Sequence, residues 1–311
     1  MVSVGIDIGG TKLLGVLLDG SKVVEKLTLA TPSDSDALAQ TVSDVVSKFG
    51  GADSVGIGIA GLVLFPQGVF AWGPHVAGTR LPLRDQIEEI LGLPAVVDSD
   101  ANTAAYGELK VGNGRGYANM LLVTLGTGIG GAIVIDGKVY RGDSFAGEWG
   151  HMLYEPDGRQ CACGKRGCWE TVASGPALVF IAKTFVEANP AGSLAHLLSG
   201  SEITGEAVVQ AADAGDEVAR GLVTQVGLGF GLGLCNLIAI FDPQIIVVGG
   251  GLGSIGESIL GPARRVAADR LHGAAHRMLP PILVAGLGQE AGAIGAGLMA
   301  AAAAKDGIES I

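Results

Sequence analysis

The hydrophobic pattern at the start of the chain predicts two strands joined by a glycine turn. VSVGIDI alternates apolar residues with small or polar ones, GGTK interrupts the pattern, and the apolar run LLGVLL closes at Asp19–Gly20. Asp-Gly after an apolar run is a strong signal for a tight hairpin, so a further strand is expected after it.

The rest of the first 117 residues alternates between predicted helices and strands. Residues 34–49 have a helical pattern, and residues 82–91 have the spacing of an amphipathic helix. Between and after them we expect strands at Val55–Ile59 and Ala95–Val97, followed by a helix after Asp100. This alternation is typical of an α/β lobe.

The first glycine turn has almost the spacing of a phosphate-binding P-loop. Gly5, Gly10, Thr11 and Lys12 fit that pattern, but a P-loop requires lysine before serine or threonine and a helix directly after it. Here the order is reversed and an apolar run follows. The turn is therefore either a plain connection between strands or a phosphate-binding loop of another kind.

A second copy of this pattern lies 117 residues further along. LVTLGTGIGGAIVIDGKVY aligns with GIDIGGTKLLGVLLDGSKV without a gap over its core, so that Asp136 and Gly137 match Asp19 and Gly20. Coincidence between two hairpins of a glycine-rich chain is the alternative, but the match predicts an internal duplication. Glycine lets backbone N–H groups approach phosphate oxygens closely, so two such hairpins could bind one polyphosphate chain between two lobes.

The sequence after the linker VGNGRGYAN predicts a second α/β lobe. It contains the second hairpin, a loop region to about residue 174, several helices and the strand IIVVGGG. An alanine-rich helix near 290–305 is expected to pack back on the first lobe. The predicted lobes are residues 1–117, joined by residues 290–311, and residues 118–289, with a central cleft that closes by hinge motion.

Composition and charge narrow the class of protein. The 311 residues are 48% hydrophobic and 16% charged, which suits a well-buried core, and the formal net charge is −11. An acidic chain is a poor partner for nucleic acid. No apolar run approaches the roughly 18 residues of a membrane span, and no signal peptide is visible. These features predict a cytoplasmic protein without a nucleic-acid or membrane partner.

The segment GEWGHMLYEPDGRQCACGKRGCWE contains four residues of the types that bind zinc: His151, Cys161, Cys163 and Cys168. Three thiolates and an imidazole form a standard tetrahedral zinc site, and four protein ligands make it structural because no position stays open for water. The alternatives are a local disulfide with a spare thiol, or three free cysteines. The lone Cys235, in an apolar segment, is interpreted as an inert core residue.

The same segment carries Glu148, His151 and Glu170. If one ring nitrogen of His151 binds the metal, the other is held outward as a hydrogen-bonding group. Two carboxylates and an oriented imidazole suit a polyhydroxylated ligand, because sugar hydroxyls both donate and accept hydrogen bonds.

These motifs together resemble the ROK family of sugar kinases and regulators. The resemblance covers nearly the whole chain and rests on DIGGTK, VTLGTGIGGA, GEWGH followed by CACGKRGCWE, and IIVVGGGLG. It is strongest to the bacterial glucokinase branch. It implies the two-lobed, actin-like and hexokinase-like (ribonuclease H-like) α/β ATPase fold with duplicated domains, and transfer of phosphate from ATP, with Mg²⁺, to O6 of glucose.

The resemblance also assigns roles to particular residues. Asp100, in DSDANTAA, takes the place of the catalytic base, which accepts the proton of the 6-hydroxyl; from sequence alone it equally suits an N-cap of a helix beginning at Ala101. Glu148, His151 and Glu170 fall on sugar-contacting positions. Their alternatives are a solvated loop acid, a zinc ligand only and a surface glutamate.

The nucleotide-binding positions follow from the same resemblance. Asp7 is expected to help place Mg²⁺ through water, or else to make a local hydrogen bond at a strand end. Lys12 is either a phosphate ligand or a solvated strand residue. The three implied loops are Gly9, Gly10, Thr11 and Lys12 for the first phosphate contact, Gly126, Thr127 and Gly128 for the second, and Gly249, Gly250 and Gly251 for the adenosine side.

Three positions depart from the glucokinase pattern, and they bear on which sugar is bound. Ser99-Asp100 replaces Asn-Asp, Ala60-Gly61 replaces Pro-Gly, and Pro74-His75 replaces Pro-Asn. Gly61, His75 and Ser99 are nevertheless expected at the sugar. Serine is shorter than asparagine and has one hydroxyl in place of an amide, so a direct contact would become water-mediated.

The sequence therefore predicts an ATP-dependent hexose kinase, most simply a glucokinase that forms a homodimer or homotetramer. The alternative acceptors used in the family are N-acetylmannosamine, N-acetylglucosamine, allose, mannose and fructose, and some relatives use polyphosphate as donor. A sugar-sensing repressor is disfavoured because the first hairpin starts at Val2, which leaves no room for a helix-turn-helix. A non-catalytic sugar-binding protein is disfavoured because Asp100 and the phosphate-loop glycines are retained.

Overall fold

The alternating pattern at the start of the chain forms a five-stranded mixed sheet in the computed structural model, which describes residues 1–198 and 202–311. The strand order is β3–β2–β1–β4–β7. Its members are β1 (Val2–Ile8), β2 (Lys12–Asp19), β3 (Lys22–Ala30), β4 (Ser54–Ile59) and β7 (Ala95–Ser99). β2 pairs antiparallel with β1 and β3, whereas β4 runs parallel to β1 and β7. A separate hairpin is formed by β5 (Leu62–Leu64) and β6 (Val69–Trp72).

The predicted helices around this sheet are confirmed to within a few residues. They are α1 (Leu38–Lys48), α2 (Leu83–Leu91), α3 (Asp100–Val111) and α9 (Ala291–Asp306). A 3₁₀ turn at Ser35–Ala37 supplies the start of the helix expected over 34–49. α3 begins one residue earlier than expected, because Ser99 is its N-cap.

Small residues let α9 pack very closely on the sheet. A Cβ added at Gly56 of β4 would lie 1.8 Å from the backbone oxygen of Ala296, and one at Gly5 of β1 would lie 1.9 Å from that of Ala293. Side chains at either glycine would push the helix away. The alanine-rich pattern of α9 thus serves a close helix–sheet contact with β1 and β4.

A second five-stranded sheet repeats the topology of the first. Its order is β10–β9–β8–β11–β12, the same arrangement as β3–β2–β1–β4–β7. The strands are β8 (Met120–Leu125), β9 (Ile129–Ile135), β10 (Lys138–Tyr140), β11 (Ile245–Gly249) and β12 (Ile282–Val284). Adding the repeat length of 117 to the bounds of β2 gives 129–136, which nearly coincides with β9. The turn glycines Gly20 and Gly137 both have positive φ, at 60° and 76°.

The remaining helices are α4 (Gly175–Ala188), α5 (Ser193–Leu197), α6 (Gly205–Asp213), α7 (Glu217–Phe241) and α8 (Glu257–Arg270). By length and composition alone, Trp169–Ala188 and Glu217–Phe241 are apolar enough to cross a membrane, which corrects the expectation that no apolar segment approaches that length. Core helices pass the same test, and 56% of the apolar window in Glu217–Phe241 is buried within the protein.

The chain forms two compact units. Unit 1 comprises Met1–Leu122, Gly131–Gly147 and Ala285–Ile311, and unit 2 comprises Val123–Gly130 and Glu148–Val284. The lobe boundaries expected from the sequence stay a prediction.

A fully buried glutamate near the end of α3 connects two segments of unit 1 by hydrogen bonds. The side chain of Glu108 has 0% exposure, and its carboxylate accepts hydrogen bonds from the backbone N–H groups of Asn113 (2.9 Å), Gly286 (3.0 Å) and Leu287 (2.7 Å). It therefore joins the segment that follows α3 to the segment that precedes α9. Three N–H donors satisfy the charge that burial would otherwise disfavour.

Candidate active site

Three parallel strands of unit 1 end at the same edge of the sheet and bring the predicted residues of this unit together. The register pairs Asp7 of β1 with Gly58 of β4, and Gly58 with Asp98 of β7. The turn after β1, Gly61 after β4 and Asp100 after β7 therefore lie beside one another. The carboxyl ends of parallel strands are where ligands bind in open α/β sheets.

The first glycine turn is a tight, hydrogen-bonded loop. The N–H of Gly9 donates to the carbonyl of Lys12 at 3.0 Å, and the hydroxyl of Thr31 donates to the carbonyl of Gly9 at 2.6 Å. Gly10 approaches the chain at His75, since an added Cβ would lie 2.6 Å from the Cβ of His75. The exposed His75 thus lies at the predicted phosphate loop.

Thr11 and Lys12 are exposed at the end of this turn. The ammonium group of Lys12 donates to Oε1 of Gln289 at 3.1 Å, and its role as a phosphate ligand stays a prediction. Gly61 has φ of 145°, and an added Cβ would lie 2.5 Å from the carbonyl oxygen of Trp72. Only glycine suits that position.

Asp100 is the first residue of α3 rather than its cap. The hydroxyl of Ser99 accepts a hydrogen bond from the N–H of Asn102 at 3.3 Å, which makes Ser99 the N-cap. One carboxylate oxygen of Asp100 accepts from the N–H of Ala101 at 2.9 Å. Because Ser99 performs the capping, the alternative interpretation of Asp100 as a helix cap is not needed to explain the start of α3.

Asp7 lies close to Asp100, and its environment disfavours the charged form. Burial and, secondly, the Asp100 carboxylate raise the pKa of Asp7 to about 7, against an opposing effect of Lys12. A divalent cation bound here would offset the repulsion between the two carboxylates, and Mg²⁺ prefers oxygen ligands of this kind. The residues present therefore fit the implied ion.

Replacing Asp7 by asparagine is expected to stabilise the metal-free protein above neutral pH. A carboxyl group with a raised pKa binds more protons in the folded than in the unfolded state between about pH 4 and pH 7. Across that range the wild type should lose about 2–4 kcal/mol of unfolding free energy relative to the D7N variant, and the difference should be constant at higher pH. Urea unfolding with chelator at about pH 4, 6 and 8 measures this; parallel pH profiles would contradict it.

The second glycine turn lies beside the loop that follows β11 in unit 2. The N–H of Gly126 donates to the carbonyl of Gly128 at 3.0 Å, and Thr127 between them is exposed. A Cβ added at Gly126 would lie 3.7 Å from the backbone nitrogen of Gly251. The structure therefore brings the predicted second phosphate loop together with the predicted adenosine-side loop, Gly249 to Gly251.

Gly250 is held by a close backbone approach that requires glycine. It has φ of 83°, and an added Cβ would lie 2.5 Å from the carbonyl oxygen of Leu125. Sequence reasoning missed a third element here, the start of α4. Its Gly175 N–H donates to the carbonyl of Gly126 at 2.8 Å, and the preceding Ser174, followed closely by proline, was a readable N-cap signal. Helix N-termini favour anions.

The predicted zinc ligands converge in unit 2. The donor atoms of His151, Cys161, Cys163 and Cys168 all lie within 4.8 Å of one another. All three cysteines are free thiols, and the Cys163 and Cys168 sulfurs are 3.6 Å apart, so no local disulfide competes with metal binding. Zn–S bonds of about 2.3 Å in a tetrahedron place neighbouring sulfurs about 3.8 Å apart. The donor set and its spacing fit zinc.

Glu170 and Glu148 lie at this cluster. The Cys161 thiol donates to Oε1 of Glu170 at 2.9 Å, and Nδ1 of His151 is 3.6 Å from the same oxygen. Oε2 of Glu170 is 2.7 Å from the position of a Cβ added at Gly128. Glu148 is exposed as a residue, but partial desolvation of its carboxylate raises its pKa, with His151 lowering and Glu170 raising it. The predicted sugar residues of unit 2 therefore form one group beside the second glycine turn.

A buried ion pair in unit 1 was also missed by sequence reasoning. Asp98 and Arg141 are 2.8 Å apart and 43 residues apart in sequence. Asp98 lies one residue beyond the predicted strand Ala95–Val97, and nothing in a single sequence pairs it with a basic residue in a distant loop.

Comparison with known proteins agrees with this architecture. The ROK family profile matches residues 3–303. A glucokinase of Streptomyces coelicolor is 37% identical over 304 residues, which are 95% of this chain and 96% of that protein. The crystal structure of a ROK family glucokinase from Streptomyces griseus in complex with glucose and AMPPNP is 38% identical, with a TM-score of 0.86, and covers 97% of this chain and 99% of that one. A ROK hexokinase from Thermus thermophilus is 33% identical, with a TM-score of 0.83 over 99% of this chain and 100% of that one.

The repeated five-strand topology, with glycine turns at the strand ends, defines a protein of the actin-like α/β fold class, as expected from the sequence. Within that class, the chain belongs to the ROK family.

Proposed function

We propose that this protein is an ATP-dependent hexose kinase that phosphorylates the 6-hydroxyl of glucose. The observation that carries the proposal is the near full-length similarity to a glucokinase solved with glucose and an ATP analogue, supported by glucokinase relatives at 36–37% identity. The grouping of the predicted residues within each unit agrees with it.

In unit 1, Asp100 acts as the general base. Its carboxylate accepts the proton of the 6-hydroxyl while that oxygen forms a bond to the γ-phosphorus of ATP. The bond from the γ-phosphorus to the β–γ bridging oxygen breaks, and ADP leaves. Ser99 and Asn102 hold the backbone of this turn by the N-cap hydrogen bond, so that the base is positioned before the sugar binds.

Backbone N–H groups and a cation bind the phosphates. The turn of Gly9 to Lys12 in unit 1 and the turn of Gly126 to Gly128 in unit 2 supply N–H donors, and Gly249 to Gly251 face the adenosine side. Asp7 would help to place Mg²⁺ here. When bound, Mg²⁺ would neutralise charge on the phosphate oxygens, and it would favour the carboxylate form of Asp7, whose pKa is raised in the metal-free protein.

In unit 2, zinc has a structural role. The residues that would hold it are His151, Cys161, Cys163 and Cys168, and a closed four-ligand site would leave no position for a reacting water. The metal would fix the segment that presents Glu148, His151 and Glu170 to the sugar hydroxyls. Cys161 and Glu170 are neighbours in the metal-free structure, where the Cys161 thiol donates to Oε1 of Glu170 at 2.9 Å; zinc binding would displace that thiol proton and leave the ligand position beside the sugar-binding position.

The identity of the acceptor depends on Ser99 and His75, which would face it. Ser99 already uses its oxygen as the N-cap of α3, which leaves its hydroxyl hydrogen for a sugar or a bridging water. His75 is exposed beside Gly10. Mannose, fructose, allose and the N-acetylhexosamines are the alternative acceptors, and we place the enzyme in the cytoplasm as a homo-oligomer.

A coupled assay with a panel of these sugars tests the proposal. Glucose is expected to give the highest kcat/KM with ATP and Mg²⁺, and ATP turnover without sugar is expected to be at least about 100-fold slower, because the acceptor hydroxyl is absent. A higher kcat/KM for another hexose would change the assigned acceptor sugar but would still support the kinase reaction. Turnover that no sugar stimulates would overturn the kinase proposal and favour a sugar-binding protein. Replacing ATP by polyphosphate tests the donor.

A further inference from the structure

Asp98 is a buried carboxylate whose hydrogen bonds all go to protein groups. The whole residue is only 1% exposed. Oδ1 accepts from the N–H of Ser99 and from Nδ2 of Asn102, both at 2.8 Å, and Oδ2 accepts from Nε of Arg141 at 2.8 Å. A carboxylate enclosed in this way has no access to a substrate. Any effect on the reaction must pass through its neighbours.

Arg141 is held on several sides at once. Its Nη1 donates to the carbonyls of Val139 (3.1 Å) and Ile311 (3.0 Å), and its guanidinium lies 3.8 Å from the centre of the Phe65 ring. The residue is 8% exposed. Nη2 has no hydrogen-bond partner among residues 1–198 and 202–311. The hydrogen bonds of the guanidinium are therefore incomplete, so hydrogen bonding alone does not explain why an arginine is buried at this position.

A buried ion pair is poor evidence for stability by itself. The desolvation of both charges offsets their attraction, and apolar replacements of similar volume are often as stable. Buried pairs do, however, fix geometry. Arg141 is suited to this because its guanidinium is planar and is held here by two carbonyls, a carboxylate and a ring.

What the pair fixes is the turn between β7 and α3. Asp98 accepts hydrogen bonds from the N–H of Ser99 and from the side chain of Asn102. These two residues lie one position before and two positions after Asp100. Across the sheet, a Cβ added at Gly58 would lie 3.4 Å from Cα of Asp100. The hydroxyl of Thr103 donates to the carbonyl of Asp100 at 2.9 Å. The backbone of Asp100 is thus enclosed on one side by Asp98 and on the other by β4.

We propose that Arg141 and Asp98 are positioning residues for the general base: Arg141 orients the Asp98 carboxylate, and Asp98 holds the turn that carries Asp100. This inference rests on the proposed role of Asp100. It adds two residues that touch neither sugar nor nucleotide, one of them in the loop after β10.

Replacing Arg141 by lysine tests the pair with the charge retained. Lysine cannot reproduce the fork of donors or the contact with Phe65, so the turn should loosen. We expect kcat to fall about 10–100-fold, because small misplacements of a catalytic group have effects of that size, with KM for sugar and for ATP within about threefold. If R141K does not fold, Asp98→Asn replaces it in the test. This variant keeps an acceptor for Ser99 but removes the carboxylate that pairs with Arg141, and it should likewise lower kcat while KM stays nearly unchanged.

Glu108→Gln is the matched control. It weakens another buried carboxylate of α3, one that accepts three backbone N–H groups far from the Asp100 turn. It should lower the melting temperature at least as much as R141K while kcat per folded molecule stays within about twofold of the wild type. Equal losses of kcat in R141K and E108Q would show a general effect of lost stability and would overturn the proposal.

Amide hydrogen exchange provides a second readout that does not depend on activity. In R141K the amides of residues 99–103 should exchange at least about tenfold faster than in the wild type, and in E108Q they should not. Unchanged exchange with unchanged kcat would overturn the positioning role even where Asp100→Asn is inactive. If instead no sugar is phosphorylated by the wild type, the proposed function fails, and the exchange rates alone decide whether the pair holds the turn.

Discussion

Replacing Asp100 by asparagine is expected to lower kcat about 10²–10⁴-fold while leaving the Kd for the sugar within about threefold. Asparagine has nearly the same shape as aspartate, and its amide oxygen can accept the hydrogen bond that Ala101 N–H makes to Asp100 at 2.9 Å. The start of α3 should therefore persist. What is lost is the proton acceptor for the 6-hydroxyl. Turnover by coupled assay and sugar binding by calorimetry measure the two effects separately.

The control for this experiment is Asp44→Asn. Asp44 is an exposed residue of α1 in the same unit and accepts a hydrogen bond from Gln40 only one helical turn away. The substitution changes the net charge by the same amount and should leave kcat within about twofold. A kcat of the Asp100→Asn enzyme within tenfold of the wild type would remove Asp100 from the proton transfer. Loss of sugar binding together with kcat would make it a substrate ligand instead.

Local pattern predicted most of the elements because each signal lies within a few residues. The alternation around Gly9 and Gly10, with Asp19–Gly20 closing the hairpin, predicted β1 and β2, and the match at an offset of 117 carried the same topology to β8 and β9. The cysteine spacing predicted a cluster that the structure forms. In each case the residues that define the feature are close in sequence or repeated in it.

Pairings between distant segments were not readable. Asp98 and Arg141 are 43 residues apart, and Glu108 accepts from backbone groups 178 and 179 positions away. A single sequence gives the type of each residue but not which distant segment covers it. The start of α3 shows a subtler limit: Ser99 and Asp100 are both good N-caps, and only the backbone shows that Ser99 takes that role.

Replacing Cys163 by serine is expected to release zinc and raise the KM for the sugar about 10–100-fold. Cys163 is exposed, so serine there removes a thiolate without opening a cavity in the core. Its partners Cys161 and Cys168 are buried, and burial raises the pKa of both thiols. Without the metal they hold protons, and the segment between Glu148 and Glu170 loses the centre that fixes it. Metal analysis should show about one zinc ion per wild-type chain and much less in the variant.

Cys235→Ser separates the effect of the metal from that of losing any thiol. Cys235 is buried in α7, where its sulfur lies 3.9 Å from the carbonyl of Ala267, far in sequence from the cluster, and its replacement should keep both zinc and KM. A Cys163→Ser enzyme that retains zinc would show that the ligand set is wrong. A Cys163→Ser enzyme that loses zinc but keeps its KM would show that sugar binding does not depend on the metal. That second outcome would mean that Glu148, His151 and Glu170 keep their positions without the metal, and it would contradict the proposed structural role of zinc, because the purpose of the closed four-ligand site is to fix this segment.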